Sequence, residues 1–170
     1  AIRINPQYAL AFRNRGLAWS DKREHDRAIS DYSEAIRLNP QYARAYDSRG
    51  DMWKAKGDGV RAVADYNEAV RLEPNNTEYL NDLAWELAAN RDDKLRDGKR
   101  AVELATRLCE LTQWKNANHL DTLAAAHAEA GNFAEAVRWQ EKVIEDPAFA
   151  KNKGTLERLA LFKAGKPYRE

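Results

Sequence analysis

Apolar and small residues fall three or four apart in paired stretches of about 13 residues, each pair split by a short polar break. That spacing is the one amphipathic helices require. The pairs themselves recur. Ile4-Asn5-Pro6, Leu38-Asn39-Pro40 and Leu72-Glu73-Pro74 stand 34 residues apart, as do Gly16 and Gly50, Trp19 and Trp53, Ala28 and Ala62, Tyr32 and Tyr66, and Ala35 and Ala69. Each period therefore predicts a helical hairpin. Lys56-Gly57-Asp58-Gly59 predicts the turn of one hairpin, because glycine reaches left-handed backbone angles without steric cost and Asp58 can cap the helix that follows. The proline then ends the second helix, since it lacks an amide donor and disfavours helical geometry in the residue before it.

Phe12, Gly16, Trp19, Ala28, Tyr32, Ala35 and Pro40, repeated as Tyr46, Gly50, Trp53, Ala62, Tyr66, Ala69 and Pro74, resemble the tetratricopeptide repeat (TPR) signature. The resemblance implies an all-α fold, an α-α superhelix or solenoid of four TPR helical hairpins with a C-terminal capping helix. The register places repeats at 9–42, 43–76, 77–116 and 117–148, with a capping helix and polar tail in 149–170. The third repeat is enlarged by a charged turn, Asn90 to Gly98, which reads as a solvated spacer in which Asp97 caps the next helix. Residues 1–8 align with the end of a second helix, so the expectation is that the chain starts inside a preceding repeat and that Ile2, Ile4, Phe12 and Trp19 leave an adhesive end suited to self-association. The charged turn, the alanine-rich fourth repeat and the final Ala164 to Glu170 are also similar to the C-terminal ends of bacterial TPR arrays.

Composition agrees with helices: 29 alanines outnumber the Ile, Val and Thr residues together. With 28 basic and 27 acidic side chains the net charge is +1, which argues against nucleic acid or an anionic membrane as the default partner. No apolar run approaches the roughly 20 residues needed to cross a bilayer. Cys109 is the sole cysteine, so no internal disulfide forms, which suits a reducing, cytoplasmic compartment. It reads as a small buried thiol. His25, His119 and His127 are scattered and carry no metal-ligand spacing, and no phosphate-cradling loop or nucleophile elbow occurs. No cofactor, metal or catalytic residue is expected, and the chain does not read as an enzyme.

Arginine replaces the family leucine at Arg15 and Arg49, while Asp31 and Asp65 precede the second-helix tyrosines. In the last two repeats those columns hold Leu83 with Leu104 and Leu123 with Trp139, so the expectation is an ion pair within each of the first two hairpins and an apolar contact in the last two. Trp19, Trp53 and Trp139 are expected in the core. The resemblance further implies a concave groove lined by first helices and holding a peptide or partner protein, with Arg13, Leu17, Arg44, Asp47, Asp51, Asn81, Trp85 and Asp121 among its residues. Trp85 is its expected aromatic hot spot. The groove positions carry six acids against three bases, favouring a basic or mixed-charge ligand. The clamp by which some relatives hold acidic chaperone tails does not fit: Leu17 and Ser48 replace required asparagines, and Glu78 and Asp82 stand where a base is needed.

Overall fold

The computed structural model describes residues 6–170, and the readings made on Ile2 and Ile4 lie outside them. The described residues form nine α-helices and one 3-10 turn: α1 Pro6–Asp21, α2 His25–Leu38, α3 Ala43–Ala55, α4 Gly59–Leu72, α5 Thr77–Ala89, the turn Asp93–Leu95, α6 Gly98–Leu111, α7 Ala117–Glu129, α8 Phe133–Glu145 and α9 Lys153–Lys163. The first helix already begins at Pro6, three residues ahead of the boundary read from the repeat register. Two compact units result, one holding the described residues up to Pro74 and the other Asn75–Glu170.

In the first unit α1 packs on α2, α3 on α4, and α2 on α3. The recurring glycine and tyrosine columns are two sides of one contact. A Cβ on Gly16 would lie 2.6 Å from Cε1 of Tyr32, and one on Gly50 would lie 2.7 Å from Cε1 of Tyr66. Only glycine lets the first helix approach the ring this closely. Ala28 and Ala62 are fully buried beside these contacts. Trp19 and Trp53 pack against the cluster of Ala28, Ile29, Tyr32 and Met52, each with an arginine over its outer face, Arg27 at 4.8 Å and Arg61 at 3.8 Å.

The two expected ion pairs are present and bidentate. Arg15 donates from Nε and Nη2 to Asp31 at 2.7 Å each, and Arg49 donates to Asp65 at 2.8 and 2.7 Å and to Ser33 Oγ at 3.0 Å. The Arg15 side chain is 61% exposed whereas that of Arg49 is 21% exposed. Solvent screens the first pair more. Asp65→Ala should therefore cost about 2–3 kcal/mol, because it strands a partly buried guanidinium, and Asp31→Ala distinctly less. Urea unfolding of the two variants side by side checks the order.

The turns inside the two hairpins of this unit, α1–α2 and α3–α4, each use a left-handed residue, Arg23 at φ 60° and Gly57 at φ 77°. Asp58 then caps α4 by accepting from the Arg61 amide at 3.0 Å. A Cβ in that conformation is a strain that glycine avoids. Arg23→Gly should raise the stability of this unit by about 0.5 kcal/mol, the relief of strain being partly offset by the extra freedom of the unfolded chain. Thermal unfolding reads the gain.

In the second unit α5 packs on α6 and α7, α6 on α7, α7 on α8, and α8 on α9. Leu83 and Leu123, in the columns of Arg15 and Arg49, are buried, together with Leu80, Leu108, Val143, Leu159 and Phe162. Leu104 and Trp139 are half-buried. Trp139, like Trp19 and Trp53, is half-buried rather than fully in the core: it stacks on the 40% exposed Trp114 at 5.1 Å, with Arg138 over its ring.

Two further expectations need correction. The charged turn after α5 is packed rather than a free spacer. Arg96, its side chain 14% exposed, pairs with Glu129 at 2.9 Å and donates to the carbonyls of Asn90 and Arg91, while the Asp97 amide donates to Leu87 O. Asp97 also caps α6 as expected, accepting from the Arg100 amide. Removing five residues here would cut these bonds. The terminal segment is likewise not a free polar tail, because its last residues are bonded to α5 and α7. α9 does act as a cover, burying Leu159 and Phe162, and ends at Gly165 with φ 67°.

Candidate functional site

The first helices of each unit carry the residues singled out from the register. In the first unit Arg13 and Leu17 project from α1 and Arg44, Asp47 and Asp51 from α3. Leu17 is 41% exposed, Arg44 and Asp51 are exposed, Arg13 is half-buried and Asp47 is buried. The core tyrosines reach this face from behind. Tyr66 donates its hydroxyl to Asp51 Oδ1 at 2.8 Å. Burial pushes the Tyr32 phenol above its usual range, an effect that Arg13 and a hydrogen bond with Ser48 oppose. Ser48 and Asp51 each meet a tyrosine behind this face: Asp51 accepts from Tyr66, and Ser48 hydrogen-bonds Tyr32.

The second unit brings Asn81, Trp85 and Asp121 together in one pocket of about 580 Å³, lined also by Thr77, Glu78, Asp82, Thr112, Asn116, Asn118, His119 and Thr122. It opens between the α5 face and the start of α7. Asn76 and Asn116 set the first turns of those helices by capping them, accepting from the amides of Glu78 and Asn118. Thr122 donates to Asn81 Oδ1 at 2.8 Å and so fixes the amide that faces the pocket. His119 hydrogen-bonds Thr112 Oγ1 at 3.2 Å, and burial lowers the pKa of its ring. Just behind, Cys109 is fully buried, its thiol pushed up to about 12 by burial and then by Glu110, which makes it an inert packing group.

Asp121 is not presented to a ligand as the register suggested. It accepts from Arg158 Nε at 2.9 Å, Arg158 Nη2 at 2.6 Å and Gln140 Nε2 at 2.7 Å, and is buried among them. Trp85 is not an open hot spot either. Its indole Nε1 donates to Glu170 at 2.9 Å, its ring lies 6.0 Å from that of Tyr168, and the Arg158 guanidinium covers it at 5.6 Å. Two acids of the supposed groove surface, Asp121 and Glu129, are thus neutralised from within the unit. The residues that do this, Arg96, Arg158 and Arg169, escaped the sequence reading; the one available signal was an aromatic, Tyr168, in an otherwise polar tail.

Among the described residues, no group of three or more His, Cys, Asp and Glu side chains is placed to hold a metal ion, and no helix is long and apolar enough to cross a membrane. Hairpins built on recurring Gly–Tyr contacts, with a polar pocket on the first-helix face, define a helical-repeat scaffold. Residues 14–42 match the tetratricopeptide repeat model. No curated protein matches the sequence. Among solved structures the fold is similar to YrrB, a TPR protein with an unusual peptide-binding site (22% identity, TM-score 0.75, covering 92% of this chain and 76% of that one). It is similar too to the first TPR of Spaghetti (RPAP3) bound to the HSP90 peptide SRMEEVD (20% identity, TM-score 0.65, 74% and 95% covered) and to MamA from Desulfovibrio magneticus RS-1 (16% identity, TM-score 0.78, 92% and 84% covered). Residues 14–42 thus carry a tetratricopeptide repeat, and the all-α fold of the described residues is similar to that of solved tetratricopeptide-repeat structures. Such repeats are in general non-catalytic scaffolds for protein–protein interaction.

Proposed function

We propose that the first-helix face of the second unit binds a peptide or a segment of a partner protein, of basic or mixed charge, at the pocket bordered by Glu78, Asn81, Asp82 and His119. The observation that carries this reading is the pocket itself: about 580 Å³, lined by three acids and by no lysine or arginine. That volume accommodates a few ligand side chains. The charge of Asp121 is met by Arg158, and Glu78 sets the sign at the rim. A basic side chain gains from that sign on approach, and a ligand carboxylate is repelled. Spaghetti's first TPR holds an acidic peptide; here Glu78 at the rim argues for the opposite preference. Catalysis forms no part of this reading, nor does a cofactor.

Fluorescence anisotropy with lysine-rich and glutamate-rich peptide pools tests the proposal. The basic pool should bind with a strong salt dependence, and Glu78→Lys should weaken it about tenfold, equivalent to roughly 1.4 kcal/mol. Equal binding of both pools, or no effect of charge reversal, overturns it. Asp51→Lys reports separately on the face of the first unit.

A further inference from the structure

After the left-handed Gly165, residues Lys166 to Glu170 adopt no regular secondary structure and reach α5 and α7. Three kinds of contact hold them there. Tyr168 lies against Trp85 at 6.0 Å with the rings tilted by 47°, and the Arg158 guanidinium sits over both, 5.6 Å from the Trp85 ring and 5.4 Å from that of Tyr168. Arg169 pairs with Glu129 at 2.6 Å, whose other oxygen is held by Arg96 at 2.9 Å. The Glu170 amide donates to Ala89 O at 2.9 Å, its carboxylate accepts from Trp85 Nε1, and its carbonyl accepts from Arg91 Nε.

Each contact is of a type that an extended peptide ligand makes. An aromatic side chain supplies apolar area with few torsions to freeze. A basic side chain meets an acid that is 14% exposed and already positioned by a second arginine. A backbone amide satisfies a carbonyl at the end of α5 that has no partner within its own helix. Every recognising group except Arg158 belongs to α5, α7 or the turn between α5 and α6. The receptor surface is complete without the segment that fills it.

We infer that Trp85, Arg158, Glu129 and the Ala89 carbonyl form a second peptide subsite, selective for an aromatic residue followed by a basic one, and that Tyr168-Arg169-Glu170 fills it as an internal ligand. A partner segment of the same chemistry competes for it. The inference rests on the reading that this face of the second unit binds peptides. Because the internal ligand is tethered to α9 through only the short segment Ala164 to Pro167, its effective concentration is high, on the order of millimolar. An external segment therefore meets a site that is mostly filled, and its apparent affinity falls by the fraction that is open.

The test uses a fluorescein-labelled peptide, Lys-Pro-Tyr-Arg-Glu, titrated into the full chain and into a chain ending at Gly165. The expected result is at least about tenfold tighter binding to the shortened chain. Binding should be lost when alanine replaces the peptide tyrosine or glutamate replaces its arginine, and weakened by Glu129→Gln. Equal affinity for the two chains, or no binding to a folded shortened chain, overturns the inference. Should shortening reduce the helical circular dichroism, the full chain carrying Tyr168→Ala and Arg169→Ala is titrated in its place: it should bind the peptide at least about tenfold more tightly than the parent, and equal affinity overturns the inference. Glu78→Lys separates the two proposals: it should weaken capture of basic peptides at the rim about tenfold and leave this peptide bound.

Discussion

Asp121→Ala is expected to destabilise the unit of residues 75–170 by about 3–5 kcal/mol, the cost of stranding one partner of a buried ion pair. The two side chains are 13% and 11% exposed, Arg158 donates twice to the carboxylate, and Gln140 donates a third time. Alanine would leave the guanidinium without its acceptor, and the Gln140 amide with only the Thr155 carbonyl at 3.3 Å, in a site that water reaches poorly. Arg158→Met combined with Asp121→Leu should recover much of the loss, since an apolar pair of similar volume avoids the desolvation cost of both charges. Chemical denaturation followed by circular dichroism reads both. A loss below about 1 kcal/mol for Asp121→Ala would be typical of a solvent-facing charge and would return this residue to the ligand-facing set.

Gly98→Val is the second large effect, expected to cost at least about 2 kcal/mol through overpacking. A Cβ at Gly98 would lie 2.5 Å from the amide nitrogen of Ala130, 2.7 Å from the carbonyl carbon of Glu129 and 2.8 Å from Cα of Ala130. All three are backbone atoms. No side-chain rotation relieves the clash, so the start of α6 must move away from the end of α7. That end carries Glu129, which couples the clash to the tail contacts. Gly154→Ala is the control: its nearest neighbours are side-chain atoms at 3.4 and 3.5 Å, and it should be neutral or slightly stabilising. Thermal unfolding of the two variants distinguishes a tight backbone crossing from a general intolerance of larger residues.

Much of this structure was legible from residue order. The Gly16–Tyr32 and Gly50–Tyr66 contacts, the Arg15–Asp31 and Arg49–Asp65 pairs and the caps at Asp58 and Asp97 all join residues within one hairpin or one turn. Interactions of this kind recur with the repeat or follow a local rule, so a column of matching residues records them. The apolar replacement at Leu83 and Leu123 was visible for the same reason. Asn81, Trp85 and Asp121 were placed on the first-helix face by the register, and they do line one pocket.

What the carboxylates and the indole do there was a different matter. Asp121 meets Arg158 across 37 positions, and Trp85 meets Glu170 across 85. Each contact occurs once, so no periodic column records it. Charge counting failed at the same point, because an acid assigned to a surface by register is silent about the arginine that reaches it from another helix. The clash at Gly98 was equally hidden, since this glycine lies outside the repeating glycine column and its neighbour is backbone. The sequence alone determined the hairpins, their contacts with themselves and the face on which a pocket forms, because these depend on helix period and on nearest neighbours in the chain. Only the tertiary structure decided which members of that face remain open, because that depends on where one non-repeating helix and the five residues after it come to rest.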